Sequence, residues 1–113
     1  MQYLLMIVED EAHYAAPGAM EAIVAKHMAF GQKHGAAIRG GNGLQVSATA
    51  TTVRTVGDSK TIHDGPFAES REQMGGYYLI EADDLDTAIA IAKDVPLAAD
   101  GAIEVRPVMT QGG

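Results

Sequence analysis

With 113 residues, the chain is long enough for one domain whose core is a single layer of helices on a single sheet. The net charge of −7 and the scattered bases argue against a nucleic-acid surface, and the absence of cysteine excludes disulfides, thiolate metal sites and a cysteine nucleophile. No apolar stretch approaches the roughly 18 to 20 residues of a membrane span, and no basic region precedes the first apolar run, so we expect an unexported, cytoplasmic protein.

The first predicted element is a continuous apolar run at residues 2–8. It is too short for a helix and is typical of a strand buried on both faces in the middle of a sheet. Residues 19–34 have helical period, and Gly35 is a suitable residue to end that helix. The apolar stripe of the helix includes His27 and His34, which are therefore predicted to point at the sheet and not at solvent.

The middle of the chain predicts short strands. Residues 36–39 are expected to form one, which the glycine-rich run 40–43 breaks into a loop. Residues 47–56, rich in Thr and Val, predict a longer strand. After a turn, residues 61–63 are expected to return as a hairpin that carries Asp64 to the edge of the sheet.

Ionisable residues are most concentrated at residues 61–76. Within this stretch residues 64–66, reading Asp-Gly-Pro, form a predicted turn in which Gly takes a positive φ and Pro fixes φ at about −65°. The turn holds Phe67 and the charged run after it in a defined path. Glu69 and its charged neighbours Arg71 and Glu72 are predicted on the exposed face of one helical turn.

The last part of the chain predicts a strand, a helix and a strand. Residues 77–81 form the first strand, and Asp83 or Asp84 caps the helix. The expected apolar stripe of that helix is Leu85, Ala88, Ile89 and Ala92. Residues 102–108 read as a half-buried strand that places Glu104 and Arg106 on one face.

The order of these elements is that of a ferredoxin-like α+β protomer, with both helices on one face of an antiparallel sheet, in a single domain over residues 1–113. The other face of the sheet then lacks a cover. A second copy of the same sheet would satisfy it, so we predict a two-fold homodimer.

Asp64 and His27 are the candidate catalytic residues. Asp64, beside a rigid turn, is either an acid/base or ligand-binding carboxylate, or a turn-forming Asp whose oxygens accept backbone N–H bonds. His27 is either a base paired with a carboxylate or a neutral, hydrogen-bonded core histidine. His34 is expected to cap a carbonyl, and His63 to point away from Asp64, so that the two form no dyad.

Arg54 and Arg106 are candidate ligand-binding residues. Both lie in predicted strands, where an unpaired guanidinium would be costly to bury. They either bind an anionic substrate or form structural ion pairs with Glu104, Glu69 or Asp64.

Phe67 and Glu69 are further candidates for lining a ligand pocket, since both follow the rigid turn directly. The four histidines have no spacing typical of a metal site, and the glycine run lacks the Lys-Ser/Thr of a phosphate-binding loop. We therefore expect no metal and no cofactor.

With these motifs the chain resembles the YCII-related family in its DGPF-domain branch, named for a run that reads Asp-Gly-Pro-Phe at residues 64–67. The similarity extends over most of residues 1–108. The motifs that carry it are Tyr3 to Ile7, Thr51 to Arg54, Asp64 to Glu72, Gly75 to Tyr78, Ala82 to Asp86 and Glu104 to Pro107.

The resemblance implies a dimeric α+β barrel of ferredoxin-like protomers and does not imply an established reaction. In the wider group a His on the first helix, paired with an Asp, is suspected of forming an active site, which favours Asp64 and, less directly, His27. Related domains are also found fused to sigma factors of the extracytoplasmic-function type.

Two hypotheses about function follow. The first is a small cytoplasmic enzyme or metabolite-binding protein with a pocket between sheet and helices near Asp64, where ionisable residues concentrate around a rigid turn. The alternative is a non-catalytic module that regulates a partner such as a sigma factor, which the acidic surface would suit.

Overall fold

The computed structural model describes residues 1–98 and 100–110 of the chain. Within these residues six strands and two helices follow the predicted ferredoxin-like order, which confirms the α+β fold class. The strands are β1 (Gln2–Asp10), β2 (Ile38–Gly43), β3 (Thr51–Val56), β4 (Ser59–Asp64), β5 (Glu72–Glu81) and β6 (Gly101–Pro107). The helices are α1 (Ala19–His34) and α2 (Leu85–Asp94), with short 3₁₀ helices at Glu11–Ala15 and Ser47–Thr49.

The main sheet is antiparallel, with strand order β2-β5-β1-β6. Its central strand β1 alternates between two environments. Tyr3, Leu5 and Ile7 are buried under the helices, while the intervening side chains are half-buried on the open face of the sheet. The expected burial of both faces is therefore not seen in a single chain. Complete burial of a side chain such as Leu5 contributes about 1.5–3 kcal/mol to the free energy of unfolding.

Helix α1 covers the residues predicted for it and is flanked by Gly18 and Gly35. Ile23 and Phe30 are its buried side chains, and Gly18 precedes it with φ of 78°, a conformation that favours glycine. His27 lies between these two buried residues along the helix and faces the sheet, as predicted. In the described part of the chain, neither helix has the length and apolar character that crossing a membrane requires.

Helix α2 begins at the second of the two predicted caps. The carboxylate of Asp84 accepts a hydrogen bond from the backbone N–H of Thr87 at 2.8 Å. The predicted apolar stripe was partly wrong: Ala88, Ala92 and Ile91 are buried, whereas two expected members, Leu85 and Ile89, are exposed. Two of its three buried side chains are alanines.

Strand β2 corrects the prediction of a loop at residues 40–43, because these glycines continue the strand and pair with β5. A Cβ at Gly41 would lie 2.7 Å from the backbone oxygen of Tyr77 and 2.9 Å from Cδ1 of Tyr78. Glycine is thus required here for the close approach of two strands.

Strand β5 contains one extra residue opposite β1. Gly75 lies between two pairs formed with β1 and has no partner of its own there. This β-bulge shifts the side-chain alternation of β5 by one residue. Tyr78 faces the helices on one side of the bulge, and on the other side Gln73 takes that orientation, opposite Glu9.

Strands β3 and β4 form a separate two-stranded sheet, here called the arm (residues 51–64). The predicted hairpin is confirmed, although β3 begins at Thr51 because residues 47–49 form the 3₁₀ helix, and the arm is not part of the main sheet. Val53 lies directly opposite Ile62, and these side chains are 63% and 75% exposed.

The chain leaves the arm through the predicted turn, in which Gly65 has φ of 114°. The helical turn predicted for Glu69 and its neighbours is wrong, because residues 66–71 have no regular structure and Glu72 already belongs to β5. The side-chain amide of Gln73 donates to the carbonyl oxygens of Ala68 (3.1 Å) and Ser70 (3.0 Å) and holds this segment in its irregular path.

Candidate functional site

A cavity of about 420 Å³ lies between α1 and the main sheet, at the end where β1 continues into the 3₁₀ helix Glu11–Ala15. This volume is within the usual range for a small-molecule site. The polar side chains that line it are Glu9, Glu11, Tyr14, His27, Asn42, Gln45, Gln73, Tyr77 and Tyr78.

His27 and Tyr78 form a hydrogen-bonded pair in the cavity wall. Nδ1 of His27 lies 2.7 Å from the hydroxyl oxygen of Tyr78. Phe30, one turn further along α1, packs against the Tyr78 ring with centroids 4.8 Å apart. The contact with Phe30 fixes the tyrosine ring, so the hydroxyl is held against the imidazole.

Burial of the pair favours the neutral form of both partners. It lowers the pKa of His27 below its ordinary value, an effect that the nearby Glu9 carboxylate opposes. Burial likewise raises the pKa of the Tyr78 hydroxyl. At neutral pH the pair is therefore an uncharged imidazole beside an uncharged phenol. The imidazole can accept a proton from a bound ligand, and the phenol can donate one to it.

Glu9 and Tyr14 form a second polar group in the wall. Glu9 is the C-terminal helix-side residue of β1 and is 5% exposed. Its carboxylate accepts hydrogen bonds from the Tyr14 hydroxyl and from the backbone N–H of Ala98 at 3.1 Å. Burial, together with the bond to Glu9 and its charge, raises the pKa of Tyr14. A buried carboxylate held by two donors gives the cavity a fixed negative charge beside the neutral pair.

Glu11 attaches one wall of the cavity, formed by residues 44–46, to the rest of the site. Its carboxylate accepts hydrogen bonds from the Ser47 backbone N–H, at 2.9 Å, and from the Ser47 hydroxyl. Residues 44–46, which line the cavity, immediately precede this double contact. The wall is thus tied to the 3₁₀ helix that also carries Tyr14.

The mouth of the cavity is surrounded by large apolar side chains, here called the apolar rim. All of its members line the cavity, and each is between 48% and 64% exposed. They are Met20, Val24, Met28, Leu44 and Val46. An apolar entrance of this kind favours a ligand with a hydrocarbon surface.

Asp64 does not line this cavity. It is exposed at the end of β4, opposite Thr51, at the base of the arm. The cavity therefore differs from the predicted pocket in its position: it lies between sheet and helix, but beside His27 and not beside Asp64. A catalytic role for Asp64 stays a prediction.

Arg54 and Phe67 are brought together outside the cavity. The guanidinium carbon of Arg54 lies 5.2 Å from the centroid of the Phe67 ring, a cation–π contact on the arm. Glu69 is exposed in the irregular segment that follows. These three predicted ligand-binding residues therefore lie on the arm and its continuation.

Arg106 and Glu104 lie on one face of β6 as predicted, with a 3.7 Å contact between Arg106 Nη1 and Glu104 Oε2. Both side chains are largely exposed, so the pair contributes little to stability. This contact corresponds to the ion pair with Glu104 that was one of the two alternatives predicted for Arg106.

The remaining histidines do not converge. Nε2 of His34 lies 2.8 Å from the Asp94 carboxylate. The prediction that His34 caps a backbone carbonyl is therefore wrong. Asp94 joins the ends of the two helices in this way, and Lys33 adds a second contact to the same oxygen. Within residues 1–98 and 100–110 no group of three or more acidic or histidine side chains is placed to hold a metal ion.

Sequence reasoning missed Glu9, Tyr14 and Tyr78. A signal was present for Glu9, because it continues the period-two series of Tyr3, Leu5 and Ile7 and so had to face the helices. The predicted strand was instead ended at residue 8, directly before Glu9.

The fold and the site define a small ferredoxin-like α+β domain with a ligand-sized cavity between its first helix and its sheet. The profile of the YCII-related domain matches residues 1–111, nearly the whole chain. The chain belongs to this family, which confirms the resemblance at the level of the family.

Among curated proteins, one described as an uncharacterized protein from Rhizobium meliloti (strain 1021) is 40% identical over 67 residues, or 58% of this chain and 54% of that protein. The chain thus spans about half the length of this relative. Among solved structures, 5-chloro-2-hydroxyhydroquinone dehydrochlorinase (TftG) from Burkholderia phenoliruptrix AC1100, in complex with 2,5-dihydroxybenzoquinone, is similar with a TM-score of 0.51 and 16% identity, covering 96% of this chain and 94% of that one. This similarity shows the fold alone.

Proposed function

We propose that this protein is a small enzyme that carries out acid–base chemistry on a compact, largely apolar ligand bearing a hydroxyl or carbonyl oxygen. The ligand binds in the cavity between α1 and the main sheet. His27 and Tyr78 are the residues that exchange a proton with it.

The observation that carries the proposal is the 2.7 Å hydrogen bond between His27 and Tyr78 in the wall of a cavity with apolar surroundings. A histidine whose pKa is lowered stays in its proton-accepting form at neutral pH. A tyrosine whose pKa is raised keeps its proton and can donate a hydrogen bond to a ligand oxygen.

The roles follow from these protonation states. The imidazole of His27 is the base that removes a proton from a ligand hydroxyl or from a carbon next to a carbonyl. Tyr78 orients the imidazole and stabilises the oxygen on which negative charge develops. The fixed charge of Glu9 favours the imidazolium that forms, because an opposite charge nearby stabilises it.

The ligand of the structurally similar dehydrochlorinase suggests where to look first. Its complex contains 2,5-dihydroxybenzoquinone, a flat ring with hydroxyl and carbonyl oxygens. A ring of this size fits a cavity of about 420 Å³, and its faces suit the apolar rim. We therefore propose hydroxylated aromatic rings and their quinones as the class of ligand to test.

The test is ligand-induced thermal shift with a panel of phenols, hydroquinones, hydroxyquinones and small enolisable carbonyl compounds. We expect at least one compound to raise the melting temperature of the wild type. Tyr78→Phe and His27→Gln should reduce its affinity, while His34→Gln is the matched control, since His34 lies on the same helix and contacts Asp94. A wild type that no compound stabilises would remove the support for the proposal.

Asp64→Asn provides the comparison with the earlier expectation of a pocket near Asp64. If Asp64→Asn abolishes binding and His27→Gln does not, the functional site is at the base of the arm and not in the cavity. The regulatory alternative, with a sigma factor as partner, stays a prediction, and a pull-down at low salt would examine it.

A further inference from the structure

The single chain exposes more surface than a compact protein of its size. Its accessible surface is 7711 Å², whereas a compact monomer of 11.8 kDa exposes about 5,900 Å². Its radius of gyration is 15.9 Å, compared with about 13 Å for a compact domain of the same length. About 1,800 Å² of surface is thus left in excess, and the fold on its own does not bury it.

The arm contributes to this exposed surface, since nearly all of its strand residues are exposed. A two-stranded hairpin by itself is marginally stable in water, because it has no layer to pack against. On one face of the arm the apolar side chains of Val53 and Ile62 lie opposite each other and are exposed, with Lys60 beside them on the same face. An apolar cross-strand pair of this kind needs a surface to cover it.

The apolar rim is a surface of matching character. Its five side chains surround the cavity mouth and are about half exposed. Glu21 follows Met20 at its edge, on the exposed side of α1. The arm and the rim therefore offer two exposed apolar surfaces, and this face of the arm carries one charge of each sign at its margin, Lys60 and Asp64.

We propose that the protein forms a two-fold homodimer in which the arm of each protomer packs on the apolar rim of its partner and closes the partner's cavity. The excess surface of about 1,800 Å² per chain is within what an obligate homodimer buries. The packing of the arm rests on the surfaces alone, whereas its effect on the ligand rests on the proposed function. Each site is then complete only in the dimer.

The absence of cysteine from the sequence permits a direct test by disulfide trapping. Two single variants, Ile62→Cys and Met28→Cys, carry different affinity tags, are mixed and are oxidised mildly. We expect a covalent dimer that contains both tags on a non-reducing gel. The control pair is Ile62→Cys with Ile89→Cys, an exposed position on α2 outside the rim, which should give no such product.

Two outcomes would overturn the proposal. One is a mass near that of a single 11.8 kDa chain in light scattering at micromolar concentration. The other is a dimer in which Ile62→Cys traps Met28→Cys no better than it traps the control, which would place the interface elsewhere, for example on the open face of the sheet.

A double substitution examines the energetics and separates this proposal from the previous one. Val53→Thr with Ile62→Thr keeps the strand propensity of the arm but removes its apolar contact, and should raise the dimer Kd at least about 100-fold. An unchanged Kd would contradict the proposal. If trapping succeeds and no compound of the panel binds, the dimer stands and the proposed acid–base function fails.

Discussion

Nδ1 of His27 and the hydroxyl oxygen of Tyr78 are 2.7 Å apart, although 51 positions separate the two residues in the chain. Helix α1 supplies one partner and β5 the other, so the pair exists only where the helix is packed on the sheet. The hydrogen bond therefore depends on the packing around the cavity, and substitutions of either residue test both the stability of the fold and the proposed function.

Removal of the Tyr78 hydroxyl should weaken this packing by a measurable amount. Tyr78→Phe keeps the ring contact with Phe30 and removes one hydrogen bond, so the free energy of unfolding should fall by about 1 kcal/mol. Urea denaturation measures the change. Tyr77→Phe, which affects an exposed hydroxyl that accepts from Asn42 at 3.2 Å, should cost less than about 0.5 kcal/mol. Equal effects of the two substitutions would contradict the role of the pair.

The pH dependence of stability should reveal the lowered pKa of His27. In the unfolded chain this residue titrates near 6.5, and in the folded chain it titrates lower. Between the two values the unfolded chain binds more protons, so the free energy of unfolding falls as the pH is lowered through this window and is independent of His27 above it. Unfolding of wild type and His27→Gln from pH 5 to 8 should show that this contribution disappears in the variant. An NMR titration of His27 with a midpoint at or above 6.5 would contradict it.

Glu9 should tolerate even a conservative change poorly. Glu9→Gln keeps one acceptor oxygen for the Ala98 N–H and turns the other into an amide donor, so the Tyr14 hydroxyl must become the acceptor and its own proton loses the carboxylate. The free energy of unfolding should fall by about 1–3 kcal/mol because a buried polar group loses its partner. The exposed Glu104→Gln is the control and should stay within about 0.5 kcal/mol. A Glu9→Gln variant as stable as the control would show that the carboxylate is not needed as an acceptor.

Gly41 should be sensitive for steric reasons. In Gly41→Ala the new methyl group meets the backbone oxygen of Tyr77 and the ring of Tyr78, so we expect a loss of about 1–3 kcal/mol and weaker ligand binding. Gly43→Ala, in the same strand but with no atom within 4 Å of the added Cβ, should change stability by less than about 0.5 kcal/mol. Thermal and urea denaturation of the pair would decide; a neutral Gly41→Ala would mean that β2 can move away from β5 at little cost.

The sequence predicted those elements whose side chains carry a clear period. Helix α1 was found with its bounds because apolar residues recur along it as far as Phe30 and glycines flank it. Strand β2 was predicted only as far as residue 39, because the run at residues 40–43 has almost no side chains and a strand without side chains shows no alternation. The arm was found as a hairpin, but its separation from the main sheet depends on long-range pairing that no local pattern expresses.

The candidate site was predictable only in part, for a related reason. His27 could be assigned to the buried side of its helix from periodicity alone. Its partner Tyr78 could not, because the contact depends on how α1 lies across the sheet and on the register between β5 and its neighbours. Asp64 attracted attention because it is in a distinctive local motif, but a motif specifies a turn more surely than it specifies which cavity the turn adjoins.

The β-bulge at Gly75 has a consequence for how such a site can change. Beyond the bulge, the residues of β5 that face α1 are set by a count of positions and not by their chemical type. If the same sequence passed through this region as a regular strand, Met74 would replace Gln73 on the cavity side, whereas deletion of Gly75 would remove the bulge and leave Gln73 in place. The polarity of one wall thus depends on the extra residue being taken up in the bulge, so a change that abolished the bulge without shortening the strand would redirect ligand preference as strongly as a substitution.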